Sequence, residues 1–158
     1  MASDGKGALQ KHSIDKDPKS VSPSEWRKIL DPETYHVTRE AGTEPPFSGK
    51  FDKHKEKGKY NCVCCGASLF DSAAKFNSGC GWPAFDQALG AQGNDETDSN
   101  VTRLTDDSHG MQRVEVRCKK CDAHLGHVFE DGPKQTTGER FCINSVCMTF
   151  EPDANNEK

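Results

Sequence analysis

The chain has 158 residues, 32% of them hydrophobic, with fourteen glycines, eight prolines and eight cysteines. That length suits one domain, but so few apolar residues predict a modest, loop-rich core with an added staple. The net charge of −4 argues against a nucleic-acid partner, which needs clustered Lys and Arg, and no apolar run reaches the 18 or so residues that span a bilayer.

Residues 1–21 are polar, rich in Lys, Asp and Ser, and without period. They read as a mobile tail before a folded domain over 22–151, with 152–158 as a flexible C-terminal tail. No charged-then-apolar leader opens the sequence, and the Lys/Asp mixture is unlike an Arg-rich, acid-poor transit peptide. A cytoplasmic setting is expected, with the nucleus left open. There, cysteines read as metal or thiol chemistry rather than as a disulfide framework.

Ser22-Pro23-Ser24-Glu25 has the form of a capping box with proline at the first helical position. Trp26, Ile29 and Leu30 follow at helical spacing and predict a core-facing stripe. Asp31-Pro32-Glu33 predicts a second helix of one or two turns, through Tyr35. The prolines of Gly42–Gly49 force extended or turn geometry. Residues 52–59 (DKHKEKGK) read as a solvated basic loop. Leu69 and Phe70 predict a short strand, 75–85 an aromatic, turn-rich stretch, and 90–107 a long surface loop. Residues 111–118 alternate, with Val114, Val116 and Cys118 on one face of a half-buried strand. Residues 141–150 read as one strand, with Cys142 and Asn144 on one face and Phe141, Ile143 and Cys147 on the other. The sum is a mainly β, antiparallel protein with short N-terminal helices.

Cys62-x2-Cys65 and Cys118-x2-Cys121 form two knuckles separated by 52 residues. Four thiolates favour tetrahedral Zn(II), with an iron–sulfur centre as the rival. A closed four-thiolate shell leaves no open coordination position, so one structural zinc per chain is expected. His124 and His127 crowd too close to Cys121 for the spacing of a zinc finger. Cys64 falls outside the knuckle spacing and reads as a spare thiol.

Cys142 is the best candidate for a reactive thiol. Arg140 and Asn144 share its strand face, and a cation nearby favours the thiolate. His124 and His127 supply a proton donor if their loop folds over that strand. Cys80, between two glycines and beside Trp82, suits a resolving thiol that condenses with an oxidised cysteine. Trp82 and Phe85 offer an apolar seat for a methyl or thioether group, or else a satellite core. Cys147 reads as a core residue.

The motifs VTREAGTEPPFSG (37–49), the two knuckles, SGCGWPAF (78–85), DAHLGHVFEDGP (122–133) and RFCINS (140–145) together resemble the methionine-R-sulfoxide reductase B family, over about residues 22–150. The resemblance implies two antiparallel sheets with short N-terminal helices. It implies that Cys142 attacks the sulfoxide sulfur, releases methionine and becomes a sulfenic acid. Cys80 then closes a disulfide that thioredoxin reduces. Trp82 seats the substrate methyl group and Phe129 lines the same pocket. His124, His127 and Asn144 hold and help protonate the sulfoxide oxygen, and Arg140 and Asp131 form a pair beside the nucleophile. Cys64 and Cys147 are extra thiols relative to that pattern, and either competes with Cys80 as resolving residue. The expected molecule is a monomer acting on methionine-R-sulfoxide in proteins or peptides, without nucleic acid or membrane.

Two other readings fit the cysteines. In a non-catalytic, zinc-scaffolded peptide-binding module, Trp82 and Phe85 would read a partner. A zinc-ribbon nucleic-acid binder is opposed by the acidic net charge and by the lack of a basic, aromatic stripe.

Overall fold

The computed structural model describes residues 5–92, 95–107 and 112–153. Its helices are short: α1 (Ala8–Lys11), α2 (Pro23–Ile29) and α3 (Pro32–Glu40). The strands are β1 (Gly58–Cys62), β2 (Ser68–Asp71), β3 (Lys75–Phe76), β4 (Ala84–Phe85), β5 (Val101–Asp106), β6 (Arg113–Cys118), β7 (His124–Phe129), β8 (Arg140–Ile143) and β9 (Met148–Pro152). They form two sheets, one ordered β2-β1-β9 and the other β3-β4-β8-β7-β6-β5. Every pairing between them is antiparallel.

Aromatic rings fasten one sheet to the other. Phe70 of β2 stacks on Phe85 of β4 with centroids 4.4 Å apart, and Tyr60 of β1 meets Phe85 edge-on at 5.3 Å. Phe141 of β8 joins the cluster through Phe70. All four are fully buried. Phe85 is therefore core, one of the two roles its sequence allows.

The Ser22 capping box forms as its sequence predicts, with Ser22 Oγ accepting from the Glu25 amide and Glu25 Oε1 accepting from the Ser22 amide. α3 runs to Glu40, beyond the expected end at Tyr35. Its His-Val-Thr-Arg stretch has weak helix propensity, but Val37 and Thr38 are buried, so packing outweighs propensity. Ala41 ends the helix in the left-handed region, φ 57°.

Three expectations need correction. Within the expected tail, Gly5 and Gly7–Leu9 are packed, whereas most of residues 10–20 are exposed. The Ala8 and Leu9 amides donate to the carbonyls of Val63 and Cys64, and Leu9 is buried. This pairing with the first knuckle is tertiary and leaves no periodic mark. A Cβ at Gly7 would strike the Gly66 amide, so the approach requires glycine. Within the expected loop over 90–107, β5 pairs along its whole length with β6, from Val101 opposite Cys118 to Asp106 opposite Arg113. Its mixed Thr-Arg-Leu-Thr stretch hides the strand because β5 is an edge. Finally, 141–150 is two strands. β8 belongs to the larger sheet, a 3-10 turn spans Ser145–Cys147, and β9 crosses to the smaller sheet. Cys147 is buried as expected, but on that turn rather than by strand parity. Met111 and residues 93–94 and 154–158 lie outside the described residues.

Candidate active site and metal centre

The first knuckle follows β1, and the second joins β6 to β7. The Sγ atoms of Cys62, Cys65, Cys118 and Cys121 all lie within 4.8 Å of one another and all four residues are buried. The pairs Cys62–Cys121 and Cys65–Cys118 are each 3.6 Å apart. Tetrahedral coordination at about 2.3 Å per metal–sulfur bond separates sulfurs by about 3.8 Å, so the set fits one metal ion. Arg39 of α3 braces this corner. Its Nη2 donates to the Cys121 carbonyl at 2.8 Å, and its guanidinium lies over Trp26, 4.7 Å from the ring centroid. Such an ion would clamp the two sheets together, since Cys62 is in one and Cys118 in the other.

The second cluster of thiols is in a cavity of about 260 Å³. β8 delivers Cys142, and the Gly79–Gly81 loop delivers Cys80 against it, with the two sulfurs 3.1 Å apart. Arg140 Nη1 lies 2.6 Å from Cys142 Sγ. Asp131 grips the other edge of that guanidinium, accepting from Nε at 2.8 Å and Nη2 at 3.0 Å. The same guanidinium packs over the Phe129 ring at 4.7 Å. A bidentate carboxylate and an aromatic face thus leave Arg140 one free edge, and that edge meets sulfur.

Apolar Trp82 and Phe129 line the cavity, together with polar His127 and Asn144. Trp82 Nε1 donates to the Glu44 carbonyl at 3.0 Å, which fixes the indole. His127 Nε2 is 2.8 Å from Asp106 Oδ2, and Arg113 donates to the same oxygen at 3.3 Å. Asn144 Nδ2 donates to the Leu125 carbonyl and its Oδ1 accepts the Glu44 amide, both at 2.9 Å.

His124 is placed differently from its expected companions. It is buried beside His127, with centroids 5.5 Å apart, but does not line this cavity. Its Nδ1 is 2.7 Å from Glu115 Oε2. Burial pulls His124 below the ordinary histidine range in spite of Glu115. Against the cost of its own burial, Glu115 is held below the usual carboxylate range by Arg117 and His124. On the polar face of β6, Glu115 is therefore buried, while Arg113 and Arg117 stay partly exposed. Cys64 and Cys147 are fully buried, and Cys147 Sγ donates to the His124 carbonyl.

Electrostatics at the two accessible sulfurs are coupled. Burial pushes the Cys142 thiol up to about 12; Cys80 pushes the same way and Arg140 opposes. Cys80, despite its own burial, is held below the ordinary thiol range by hydrogen bonds with Ser78 and Cys142. The contact with Arg140 favours charge on Cys142, whereas these shifts favour it on Cys80. The two sulfurs are 3.1 Å apart, so ionisation of either one disfavours ionisation of the other.

Glu44, Thr43, Asp106, Arg113 and Gly126 escaped the reading of the sequence. Thr43 and Glu44 lie in a proline-rich turn with no periodicity, and only the HLGH spacing hinted at Gly126. A Cβ there would clash with the Cys142 carbonyl, so glycine lets β7 approach the thiol strand.

Comparison with known proteins agrees with this geometry. The SelR domain matches residues 30–152. A probable methionine-R-sulfoxide reductase B of Caenorhabditis elegans is 59% identical over 143 residues, covering 90% of each protein. The mitochondrial methionine-R-sulfoxide reductase B2 of Rattus norvegicus is 52% identical over 148 residues, 94% of this chain and 84% of that protein. The peptide methionine sulfoxide reductase MsrB of Chromohalobacter salexigens is 53% identical over 131 residues, 83% and 93% of the two. With its domain match, its two antiparallel sheets and its four-cysteine cluster, the chain belongs to the SelR-domain family, the methionine-R-sulfoxide reductases B.

Proposed function

We propose that the chain is a peptide-methionine (R)-S-oxide reductase in which Cys142 is the nucleophile and Cys80 the resolving thiol. The observation that carries this reading is Cys142 Sγ in an open cavity, 2.6 Å from a guanidinium and 3.1 Å from a second thiol. A thiolate needs the first, and recycling needs the second.

Cys142 attacks the sulfoxide sulfur, and the oxygen must gain a proton to leave. His127 and Asn144 hold that oxygen, with Asp106 fixing the His127 ring. His124 acts from behind, neutral and hydrogen-bonded to Glu115. Trp82 and Phe129 accept the methyl and thioether end. The sulfur is reduced by two electrons and methionine leaves, while Cys142 gains the oxygen as a sulfenic acid. The Cys80 thiol then attacks that sulfenic acid, forms the disulfide and expels water. Thioredoxin, a dithiol of low potential, returns both cysteines to the reduced state. A displaced Cys80 leaves Cys142 with Arg140 and without the neighbour that raises its pKa. The burial of Cys64 and Cys147 favours Cys80 as the resolving residue.

One zinc ion held by Cys62, Cys65, Cys118 and Cys121 supplies structure only, because four thiolates fill its shell. We infer a monomer working in a reducing compartment such as the cytoplasm.

The test is turnover of a peptide with separated methionine sulfoxide epimers and a small dithiol as reductant. Loss of the R epimer alone, abolished by Cys142→Ser, is expected. Reduced, metal-loaded protein that turns over neither epimer would leave the peptide-binding module as the better reading.

A further inference from the structure

Residues 52–56 of the basic run, which in sequence reads as a solvated face, form one wall of a second cavity of about 400 Å³. The cavity begins one residue from Cys80, at Gly79, and its rim carries Phe47. Phe47 is 66% exposed, and Leu104 is the one other large apolar side chain exposed among the described residues. It sits at φ 64°, a conformation costly for a residue with a side chain. Its amide donates to the Gly81 carbonyl at 2.7 Å, and a Cβ on Gly81 would come within 3.3 Å of its ring. The Phe47 turn and the Cys80 loop are thus tied together, and the rim ring is held out toward solvent.

Lys53 and Lys55 line this cavity and are exposed, and Lys75 lines it half-buried. Asp52 and Glu56 line it too, so three lysines face two carboxylates. The balance of charge is positive in a chain whose net charge is −4. Lys75 and Phe76 form β3, the last strand of the larger sheet, whose outer edge has no partner strand among the described residues. An extended polypeptide can add to such an edge through its main chain and drop alternate side chains into pockets.

We propose that this groove receives the polypeptide flanking the oxidised methionine and selects acidic side chains there. The inference rests on the reductase reading, because the groove has meaning as a subsite only beside a sulfoxide held at Cys142. Gly79 lines this cavity and its neighbour Cys80 lines the thiol cavity, and with the Phe47–Gly81 contact this puts the groove beside the reacting centre. A concave slot beside a free strand edge suits an extended peptide better than the convex face of a folded reductant protein.

The experiment compares three R-sulfoxide substrates with a small dithiol: the N-acetyl amino acid amide, a pentapeptide with glutamates around the sulfoxide, and its lysine counterpart. Wild type is expected to prefer the acidic peptide in kcat/KM by about fivefold to tenfold at low salt. That preference shrinks at about 1 M salt, where charges are screened. The double variant Lys53→Glu/Lys55→Glu reverses the order and turns over the amino acid amide within about twofold of wild type. Phe47→Ser lowers kcat/KM for both peptides and spares the amide. An unchanged peptide ratio in the charge-reversal variant overturns the proposal. So does a defect confined to thioredoxin-driven turnover, which assigns the groove to the reductant. Wild-type failure on the amide as well as on both peptides sinks the reductase reading, and the groove proposal with it.

Discussion

The backbone amide of Glu44 donates to Asn144 Oδ1 at 2.9 Å, joining residues one hundred positions apart. The carbonyl of Glu44 accepts from Trp82 Nε1, and its carboxylate accepts from the Val146 amide at 3.0 Å. One buried residue therefore fixes a polar and an apolar lining residue of the thiol cavity and caps the turn that follows β8. Burial raises the Glu44 pKa above the usual carboxylate range. Glu44→Ala leaves the Val146 amide without its acceptor, which costs about 1–3 kcal/mol. Its two backbone contacts remain, so kcat/KM falls only as far as the loosened turn after β8 carries Asn144 out of line, about tenfold. Glu44→Gln keeps an acceptor and recovers most of both losses. Urea midpoints and kcat/KM measure this, and a wild-type profile in Glu44→Ala would limit the part of Glu44 to its two backbone contacts.

Cys80→Ser is expected to release one methionine per chain and then stop. The sulfenic acid on Cys142 then persists and is captured by a dimedone-type reagent. Continued thioredoxin-driven cycling would make Cys64 or Cys147 the resolving residue, in spite of their burial.

The metal centre makes a separate prediction. Binding four thiolates in a site absent from the unfolded chain contributes on the order of 10 kcal/mol to folding. Cys118→Ser should lose the metal and unfold near ambient temperature, while Cys64→Ser keeps one metal per chain. Metal content and thermal melting decide it, and undiminished metal in Cys118→Ser would contradict the four-cysteine shell.

Much of this was legible in the sequence because spacing carries it. Two Cys-x2-Cys pairs declare a metal corner at any separation, and strand parity around Cys142 correctly put Arg140 beside it. Parity failed at Asn144, where the chain leaves β8 for the turn, although Asn144 still lines the cavity. Edge strand β5 and the packed segment around Leu9 were hidden because their partners are distant in sequence and their own pattern is mixed. Glu44 was hidden for another reason: a single acid in a proline-rich turn says nothing of what its backbone will hold. The histidine pair was legible as a pair, but regular strand alternation would put residues three apart on opposite faces; the β-bulge between Val116 and Arg117 brings both rings to one face, 5.5 Å apart.

Arg140 and Asp131 allow the sharpest pH argument. The reacting form of Cys142 is the thiolate, so rate is lost as pH falls through its pKa in the working site. Burial and Cys80 push that pKa up, and Arg140 opposes them. Arg140→Met removes the opposing charge, so the acidic limb of kcat/KM against pH moves to higher pH, by about one unit or more. Asp131→Asn distinguishes two roles for the carboxylate. Were Asp131 acting on sulfur through its own negative charge, its removal would favour the thiolate and move the limb to lower pH. Since it grips Nε and Nη2 of Arg140, its loss frees the guanidinium to leave Cys142 and moves the limb up, by less than Arg140→Met. Arg140→Lys keeps the charge but not the two-pronged grip, and falls between. A limb that stays at the wild-type pH in Arg140→Met would detach Arg140 from thiolate stabilisation, whatever its 2.6 Å contact suggests.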